Sequence, residues 1–451
     1  MTSRLRRFAL PLAAPLILGL GGCATSVSDT APPAAAATLS PAEALKAKAA
    51  AGGATDLVAS EGPDGGTILG GKLDGQQFAL AFPAGWNGGE GLVYAHGYST
   101  PGTPVEVAAN PVGDKSPSKT MGFAYADGVA VGHSAYAKDG LGVETGIKST
   151  KRLRDLLASM GAGKVYAVGD SMGGGIVEAL LEMYPGQFAG GVARCGVVDD
   201  WSTLVAQLYD MRASYNFLTK GTPYALPGEQ DIRVSALPVA TNQAEVWGQF
   251  MRMGAPVIAL FNAAGKNPSG PEARIIRQVA AIGGFEPDPG ALAFPLLTAS
   301  LGASDIAATA GGQPYDNTGK VYASDTMTAA EAKALNAGIQ RVSANPAAVA
   351  YLARWHRATG RISDPLVTMH NTIDSLVPYA QETALEAKVK ASGRSQYLAS
   401  YGVPPQRMPL PIGGVEAYTH CGFTPEQSKA AWEALHGWVR TGKRPAASAV
   451  K

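Results

Sequence analysis

The chain has 451 residues, of which 46% are hydrophobic and 16% are charged, and its formal net charge is +1. This is the composition of a globular protein with a low density of charge. A nearly neutral chain without a basic stripe offers no electrostatic basis for binding nucleic acid, so we expect no such partner. The 56 glycines suit a fold with many tight turns between strands and helices.

The N-terminus has the pattern of an export signal. Arg4, Arg6 and Arg7 precede an apolar run at 8–20, which is too short to span a membrane as a helix. The run ends in Leu-Gly-Gly-Cys at Cys23, which resembles the lipobox of bacterial lipoproteins. We therefore expect a signal peptide at 1–22, with lipid then attached to Cys23, and an exported protein anchored at the outer membrane or facing the periplasm. The alternative is an ordinary secretory signal with an incidental cysteine.

Residues 23–54 are rich in Ala, Ser, Thr and Pro, which is typical of a flexible tether, with room for a short helix at 41–51. The following part, 55–200, reads as the first half of a folded core. Its strand candidates are 65–72, 78–82, 91–95, 129–132, 164–168 and 190–194. Its helix candidates are 116–127, 146–160 and 176–184. Because strands and helices alternate, we predict a mostly parallel sheet flanked by helices.

From 201 to 362 the pattern changes to helices without a clear parallel strand. The helix candidates are 201–218, 243–261, 270–281, 291–302 and 328–357. We interpret this region as a helical cap inserted into the core. The core resumes over 363–451, with strands at 365–369 and 396–401 and helices at 379–391 and 424–442.

The most informative motif is Gly169-Asp170-Ser171-Met172-Gly173, which lies between a predicted strand and a predicted helix. Strand, sharp Gly-x-Ser-x-Gly turn and helix are the context in which this motif forms a nucleophile elbow. Ser171 is therefore the candidate nucleophile. The alternative is a glycine-rich turn with an idle serine.

A serine hydroxyl needs a histidine to take its proton and a carboxylate to orient that histidine. His420 lies in a loop between the last strand and the last helix, where it suits the role of base. Asp374 follows the 365–369 strand and is the candidate acid, with a helix N-cap as the alternative role. Asp199 and Asp200, after the 190–194 strand, are rival candidates for the acid.

The His96-Gly97-Tyr98 turn follows the 91–95 strand, at the usual place for half of an oxyanion hole. We expect the backbone N–H groups of Tyr98 and Met172 to form that hole. His133 and Tyr136 also follow a strand, so together with His96 they are candidates for lining the pocket, although packing roles explain them equally well.

Three cysteines are present, and lipid on Cys23 would leave Cys195 and Cys421. In an oxidising compartment two remaining thiols suggest one disulfide, which would pin the loop of His420. Two buried free thiols are the alternative.

The His-Gly-Tyr turn, the Ser171 elbow, Asp374 and His420 together resemble the α/β-hydrolase superfamily, over roughly 60–200 and 363–440. The segments 83–88 and 420–425 are similar to secreted bacterial serine esterases. Tannase and feruloyl esterase relatives also have a cysteine after the histidine, paired with one beside the serine. Position 170 is Asp here, so the resemblance leaves Cys195 as the available partner. It implies the α/β-hydrolase fold.

The resemblance and the motifs predict a serine esterase that cleaves small-molecule carboxylic esters through an acyl-enzyme. No zinc-binding cluster, phosphate-binding loop or dinucleotide fingerprint is visible in the sequence, so we expect no metal and no cofactor. A serine peptidase or amidase of the same fold is the second hypothesis, and a non-catalytic binding lipoprotein is the third. Neither the substrate nor the oligomeric state can be read from the sequence.

Overall fold

A nine-stranded sheet forms the centre of this computed structural model, which describes residues 39–103, 106–411 and 413–451. The strands are β1 (Thr55–Glu61), β2 (Thr67–Leu73), β3 (Gln76–Phe82), β4 (Gly89–Ala95), β5 (Ala130–Ser134), β6 (Ala162–Asp170), β7 (Gly190–Arg194), β8 (Leu366–Asn371) and β9 (Leu398–Val403). The predicted signal peptide 1–22 and the lipid site at Cys23 lie outside the described residues.

The order across the sheet is β1-β2-β3-β5-β4-β6-β7-β8-β9. The pairs from β1 to β5 are antiparallel, and every pair from β5 onward to β9 is parallel. The sheet is therefore mostly parallel, as predicted.

Twelve α-helices accompany the sheet in the described part of the chain. They are α1 (Pro41–Ala51), α2 (Lys119–Ala126), α3 (Val143–Met160), α4 (Met172–Met183), α5 (Trp201–Leu218), α6 (Gln243–Lys266), α7 (Pro271–Gly283), α8 (Pro289–Ala310), α9 (Ala329–Gly338), α10 (Pro346–His356), α11 (Ala380–Ala391) and α12 (Pro425–Thr441). They cover both faces of the sheet because its central strands are apolar on both sides. In β6, for example, Val165 and Ala167 pack in the core that holds α3 and α4, while Tyr166 and Val168 pack with α2 and α12.

The strand register brings the carboxyl ends of β4, β6, β7 and β8 to one edge. Ala95 is paired with Gly169, Gly169 with Ala193, and Arg194 with Met369. The loops that follow these four strands therefore meet at one place, where ligands bind in parallel α/β sheets.

Between β7 and β8 the described residues form α5 to α10 and contain no strand of the sheet. The prediction of one helix over 328–357 is wrong, because α9 ends at Gly338 and α10 begins at Pro346. Proline lacks a backbone N–H and suits the first position of a helix rather than its interior. The side chain of Asn345 caps α10 by accepting the N–H of Ala347 at 2.9 Å.

Helix α8 is apolar nearly all round, and it is the one helix in the described ranges that is long and apolar enough to cross a membrane. Of its 18-residue apolar window, 67% is buried inside the fold. This burial explains the composition, because a helix that is packed on most sides needs little polar surface.

The predicted tether reaches too far along the chain. Helix α1 is capped by Ser40 and buries Leu45 and Ala49 in the main core, and the compact unit begins at Ser40. The end of the predicted tether is therefore corrected from residue 54 to about residue 39. The reason is that two apolar side chains on one face of α1 pack in the main core.

Candidate active site

The turn predicted to hold the nucleophile lies between the end of β6 and the start of α4. Ser171 has φ 57° and ψ −123°, a conformation that a residue with a side chain rarely adopts. Glycines flank it because space is lacking: a Cβ on Gly169 would overlap the carbonyl oxygen of Gly173, and a Cβ on Gly173 would overlap that of Ala95. This conformation is the strained strand-to-helix turn that an elbow requires.

His420 lies directly against this serine. The Ser171 Oγ and the His420 Nε2 are 2.8 Å apart, a distance at which the hydroxyl donates a hydrogen bond to the ring nitrogen. The His420 side chain is 18% exposed, so the pair is accessible from solvent at its edge. The geometry suits proton transfer from the serine to the imidazole.

Asp374 holds the other side of the imidazole. The His420 Nδ1–H donates to the Asp374 Oδ1 at 2.7 Å, and the Cys421 N–H donates to the Oδ2 at 3.0 Å. The Oδ1 also accepts the N–H groups of Leu376 and Val377 at 2.8 and 2.9 Å, which closes the turn after β8. The carboxylate thus orients both the histidine and its own loop.

The electrostatics of this pair favour an ionised carboxylate. Burial by itself would raise the pKa of Asp374, but the charge and hydrogen bond of His420, the charge of His370 and the Cys421 N–H lower it to about 2. Asp374 therefore carries its negative charge throughout the neutral range and favours the Nδ1-protonated form of His420.

The rival acids are engaged elsewhere. Asp199 forms an ion pair with Lys388 on α11. Asp200 caps α5 by accepting the Ser202 N–H at 2.8 Å, and it pairs with Arg357 at 2.6 Å. Of the three candidates, the structure places Asp374 against His420.

His370, the fifth residue of β8, supports the Asp374 loop from beneath, and the sequence analysis assigned it no role. It is fully buried, with Nε2 donating to the Val377 carbonyl at 2.8 Å and Nδ1 lying 3.3 Å from Glu382 Oε1. Burial would lower the pKa of His370, but the hydrogen bond and charge of Glu382 raise it above its usual value. The imidazole of His370 is thus buried behind the Asp374 loop and held by a carboxylate on α11.

The predicted disulfide is confirmed. Cys195, the residue after β7, is bonded to Cys421, the residue after His420. These two cysteines with His420 form the one cluster of potential metal ligands found among the described residues. Because both sulfurs are used in the disulfide, they are not the free thiolates that bind metal ions.

A second fastening, which sequence reasoning missed, joins the elbow to β7. Arg194 contacts Asp170 through two hydrogen bonds, from Nε at 2.6 Å and from Nη2 at 2.7 Å, and it is buried. Its carbonyl oxygen accepts the Ser171 N–H at 3.0 Å. Arg194 and Cys195 thus hold the turn of Ser171 and the loop of His420 to the same strand end. Two features of the sequence could have indicated this ion pair: an acidic residue directly before the serine, and an arginine at the end of the next strand.

The loop after β4 lies against the elbow, as the oxyanion-hole prediction requires. A Cβ built on Gly97 would sit 3.5 Å from the Ser171 Cβ, so the backbone leading to Tyr98 passes beside the serine. Met172 begins α4, and its N–H belongs to the first turn, where amides have no partner within the helix. Tyr98 and Met172, whose N–H groups are the predicted donors, therefore line the same cavity as Ser171.

The other three pocket candidates have packing positions. His96 stacks on Tyr136 with ring centroids 3.5 Å apart, and the Tyr136 hydroxyl donates to the His96 carbonyl at 3.1 Å. His133 is buried and its Nε2 lies 3.3 Å from the Ala108 carbonyl oxygen. None of the three is among the described residues that line the cavity at Ser171.

That cavity is small and apolar. Its volume is about 50 Å³, and Ser171, Tyr98 and Met172 form part of its wall. The remaining wall comes from α5, from α8 and from the loops after β5, β7 and β8. It includes Leu141, Val197, Leu204, Leu208, Ile306 and Val377. No charged side chain is found in the lining within the described residues.

The sequence matches no family model, and no curated protein is significantly similar to it. Solved structures are similar in fold. Est1E from Butyrivibrio proteoclasticus has 11% identity and a TM-score of 0.37, over 83% of this chain and 99% of that one. Feruloyl esterase B from Aspergillus oryzae has 12% identity and a TM-score of 0.38, over 87% and 88% of the two chains. The rice cell wall degrading esterase LipA from Xanthomonas oryzae has 13% identity and a TM-score of 0.36, over 77% and 82%.

The strand order and the strained turn between β6 and α4 agree with the α/β-hydrolase fold that the sequence analysis predicted. At identities of 11–13% and TM-scores below 0.4, these likenesses say nothing about the substrate of this chain.

Proposed function

We propose that the protein is a serine hydrolase that cleaves carboxylic esters. Ser171 Oγ attacks the ester carbonyl carbon while His420 Nε2 takes its proton, and the oxyanion forms beside the N–H groups of Tyr98 and Met172. The C–O bond to the alcohol then breaks, and His420 returns the proton to the leaving oxygen. Water, deprotonated by His420, attacks the acyl-serine, and the acid and free Ser171 are released.

The observation that carries this proposal is the contact chain Ser171–His420–Asp374, with distances of 2.8 and 2.7 Å at the mouth of an apolar cavity. The absence of charged groups from the described lining favours an ester with an apolar acyl side over a free peptide end. A peptide terminus carries a charge, and a buried charge without a partner is costly.

The test compares wild type with Ser171→Ala and with Ser159→Ala, an exposed serine of α3. The soluble domain from residue 36 is assayed with p-nitrophenyl esters and with aminoacyl p-nitroanilides. We expect ester turnover to fall by roughly 10⁴-fold or more in Ser171→Ala alone, and fluorophosphonate labelling to vanish in the same variant. Unchanged turnover in Ser171→Ala would refute the proposal, and hydrolysis of the anilides alone would point to an amidase.

We also propose that the protein is exported and lipid-anchored through Cys23. The signal pattern before Cys23 supports this, and so does the Cys195–Cys421 disulfide, because disulfides persist in oxidising compartments. Expression of the full chain with a labelled fatty acid should label wild type and leave Cys23→Ser unlabelled. Label in both proteins, or in neither, would contradict the anchor.

A further inference from the structure

An open apolar groove of about 630 Å³, which we call the α6 groove, runs along one face of α6. Its lining residues on α6 recur every three or four positions from Trp247 to Asn262, a spacing that places them on the same side of the helix. Phe294 and Leu297 of α8 also line it, and so does Met408 of the segment that leads to His420. Open apolar surface of this extent marks a binding site.

The side chains of the α6 groove are accessible to a ligand. Trp247 is 60% exposed and Met251 is 72% exposed, although both are large and apolar. The small residues Gly254, Ala255 and Ala259 follow them along the same face and form a floor without bulk. A Cβ added to Gly254 would have no atom within 4 Å, which confirms the open space above it. The groove is therefore shaped for a slender chain.

Polar groups are nearly absent from the described lining of the α6 groove. Asn262 supplies the one polar side chain there, and its Nδ2 already donates to the Gly413 carbonyl at 3.2 Å. Because no charged side chain is found among the described lining residues, a charged or strongly hydrated ligand would lose its water without gaining a partner. A hydrocarbon chain loses nothing of this kind.

Helix α8 connects the α6 groove to the nucleophile. Phe294 lines the groove, and Thr298 lines the cavity at Ser171. Residues four apart in a helix lie one turn apart on the same face. The groove and the cavity are therefore neighbours along α8.

The segment that carries the proposed base lies at the other end of the same stretch of α8. A Cβ added to Gly290 would overlap the carbonyl oxygen of Tyr418, so this segment touches α8 one turn before the groove begins. The Met408 N–H, at the lining of the groove, donates to the Ala417 carbonyl at 2.9 Å, three residues before His420. Along α8, the groove thus lies between the loop of the base and the cavity of the nucleophile.

This position distinguishes the two parts of an ester. In the proposed reaction His420 protonates the leaving oxygen, so the alcohol part lies on the side of His420. On the basis of the serine esterase proposed above, we propose that the α6 groove binds the alcohol part and that the preferred substrates are esters of long, linear, apolar alcohols. The chain covers apolar surface that water contacts in the free protein, and the hydrophobic effect favours this burial.

A membrane suits the α6 groove less well than such a chain. A bilayer contacts the side chains that protrude, such as Trp247 and Met251, and would leave the floor at Gly254 and Ala255 uncovered. A membrane contact also requires no connection to Ser171, whereas the groove continues along α8 to the cavity there.

The experiment compares two isomeric esters, octyl acetate and ethyl octanoate, at concentrations where both are monomeric in solution. They have the same composition and differ in whether the long chain is on the alcohol or the acyl side. Each kcat/KM of the soluble domain is divided by the rate constant of the ester with hydroxide, which removes intrinsic reactivity. We expect octyl acetate to be favoured by at least about 10-fold, because several methylene groups are covered only on the alcohol side.

The variant Ala255→Phe fills the α6 groove. Ala255 is exposed, so the added ring enters the groove rather than the core, and the ratio of octyl acetate to ethyl octanoate should fall towards 1. Ala244→Phe is the matched control, because Ala244 is exposed on the same helix and does not line the groove. It should leave the ratio within about 2-fold of wild type.

Either of two results would overturn the inference: a wild-type ratio of 1 or less, or a ratio that Ala255→Phe does not change. Sedimentation with phosphatidylethanolamine–phosphatidylglycerol vesicles that Ala255→Phe abolishes, with the ratio unchanged, would assign the groove to a membrane instead. A dimer in light scattering that the same variant dissociates, again with the ratio unchanged, would assign it to a second copy of the chain.

These failures are distinguishable from failure of the esterase itself. If Ser171 is still labelled by a fluorophosphonate, the proposed esterase stands and only the alcohol class is wrong. Absence of both labelling and turnover in wild type would refute the esterase as well.

Discussion

The sheet and the helical region between β7 and β8 contribute to the site in different ways. From the sheet side, Ser171, Asp374 and His420 are fixed by main-chain hydrogen bonds, an ion pair and a disulfide. The inserted helices contribute mainly apolar side chains that line the cavity, such as Leu204, Leu208 and Ile306. In the proposed reaction, the strand ends hold the reacting groups, whereas α5 and α8 shape the space for the acyl group.

A contact between the two regions lies two residues before His420 in the chain. Asp288 caps α8 by accepting the Gly290 N–H at 2.8 Å, and its Oδ1 also accepts the Tyr418 N–H at 3.1 Å, two residues before His420. The cap of an inserted helix thus holds the loop of the proposed base. For residues outside such contacts, we expect changes in the sheet side to affect catalysis and changes in the inserted helices to affect stability or specificity.

The largest expected effect tests the sheet side. Asp374→Asn should lower kcat by about 10⁴-fold, since an amide cannot hold His420 in the required tautomer. Asp199→Asn and Asp200→Asn serve as controls, because their carboxylates pair with Lys388 and Arg357. If either control instead lowered kcat comparably while Asp374→Asn stayed active, the acid would be the residue after β7, and the assignment of Asp374 would be wrong.

The next largest effect is expected from loss of the Cys195–Cys421 disulfide. Replacing both Cys195 and Cys421 by Ser should lower the free energy of unfolding by about 3–5 kcal/mol, because the bond closes a loop with a sequence separation of 226 residues. Urea denaturation of the variant and of wild type, with and without reductant, measures this. If wild type and variant were equally stable with and without reductant, the disulfide would make no contribution to the free energy of unfolding.

A pH effect of about 2 kcal/mol is expected from Asp374. Its pKa is lowered to about 2 in the folded state from an ordinary value of 3.8, so its contribution is fully present above pH 4. That contribution is lost as the pH falls from 4 through 2. In urea denaturation at pH 2–5, the stability of wild type should therefore decrease more steeply than that of Asp374→Asn. Parallel curves would show that the carboxylate is not stabilised by its partners.

The smallest effect tests the inserted helices. Asp210 on α5 is buried and accepts hydrogen bonds from Tyr315 and Tyr322 at 2.6 Å each, and it also pairs with Lys320. Asp210→Asn should lower the free energy of unfolding by about 1–3 kcal/mol. The exposed Asp325→Asn should have no measurable effect on unfolding.

This variant also sharpens the comparison between the two regions. Asp210 does not line the cavity, so kcat/KM for a pentanoate ester should stay within about 2-fold of wild type. A large fall in kcat with unchanged stability would show that the inserted helices take part in the chemistry after all.

The residues brought together at the strand ends were predictable from local patterns. The elbow has a glycine signature because only glycine fits at 169 and 173, and the loop positions of Asp374 and His420 follow from the order of strands and helices. The break at Pro346 was also visible in the sequence, because proline is unsuited to the interior of a helix.

Other features depended on contacts between distant segments. The choice of Asp374 over Asp199 and Asp200 depends on which carboxylate the loop of His420 reaches, 46 residues further along the chain. Helix α1 belongs to the core because Leu45 and Ala49 meet an apolar surface that no local pattern describes.

The sequence by itself determined the alternation of strands and helices, the strained turn of Ser171 and the residue types of the site, because these follow from local sterics and periodicity. Tertiary structure alone decided the buried pairing of Asp170 with Arg194, the position of His370 behind Asp374, and the cavity that Trp201 and Tyr98 line. These features arise when residues far apart in the chain pack at one edge of the sheet, and burial then fixes which polar groups find partners.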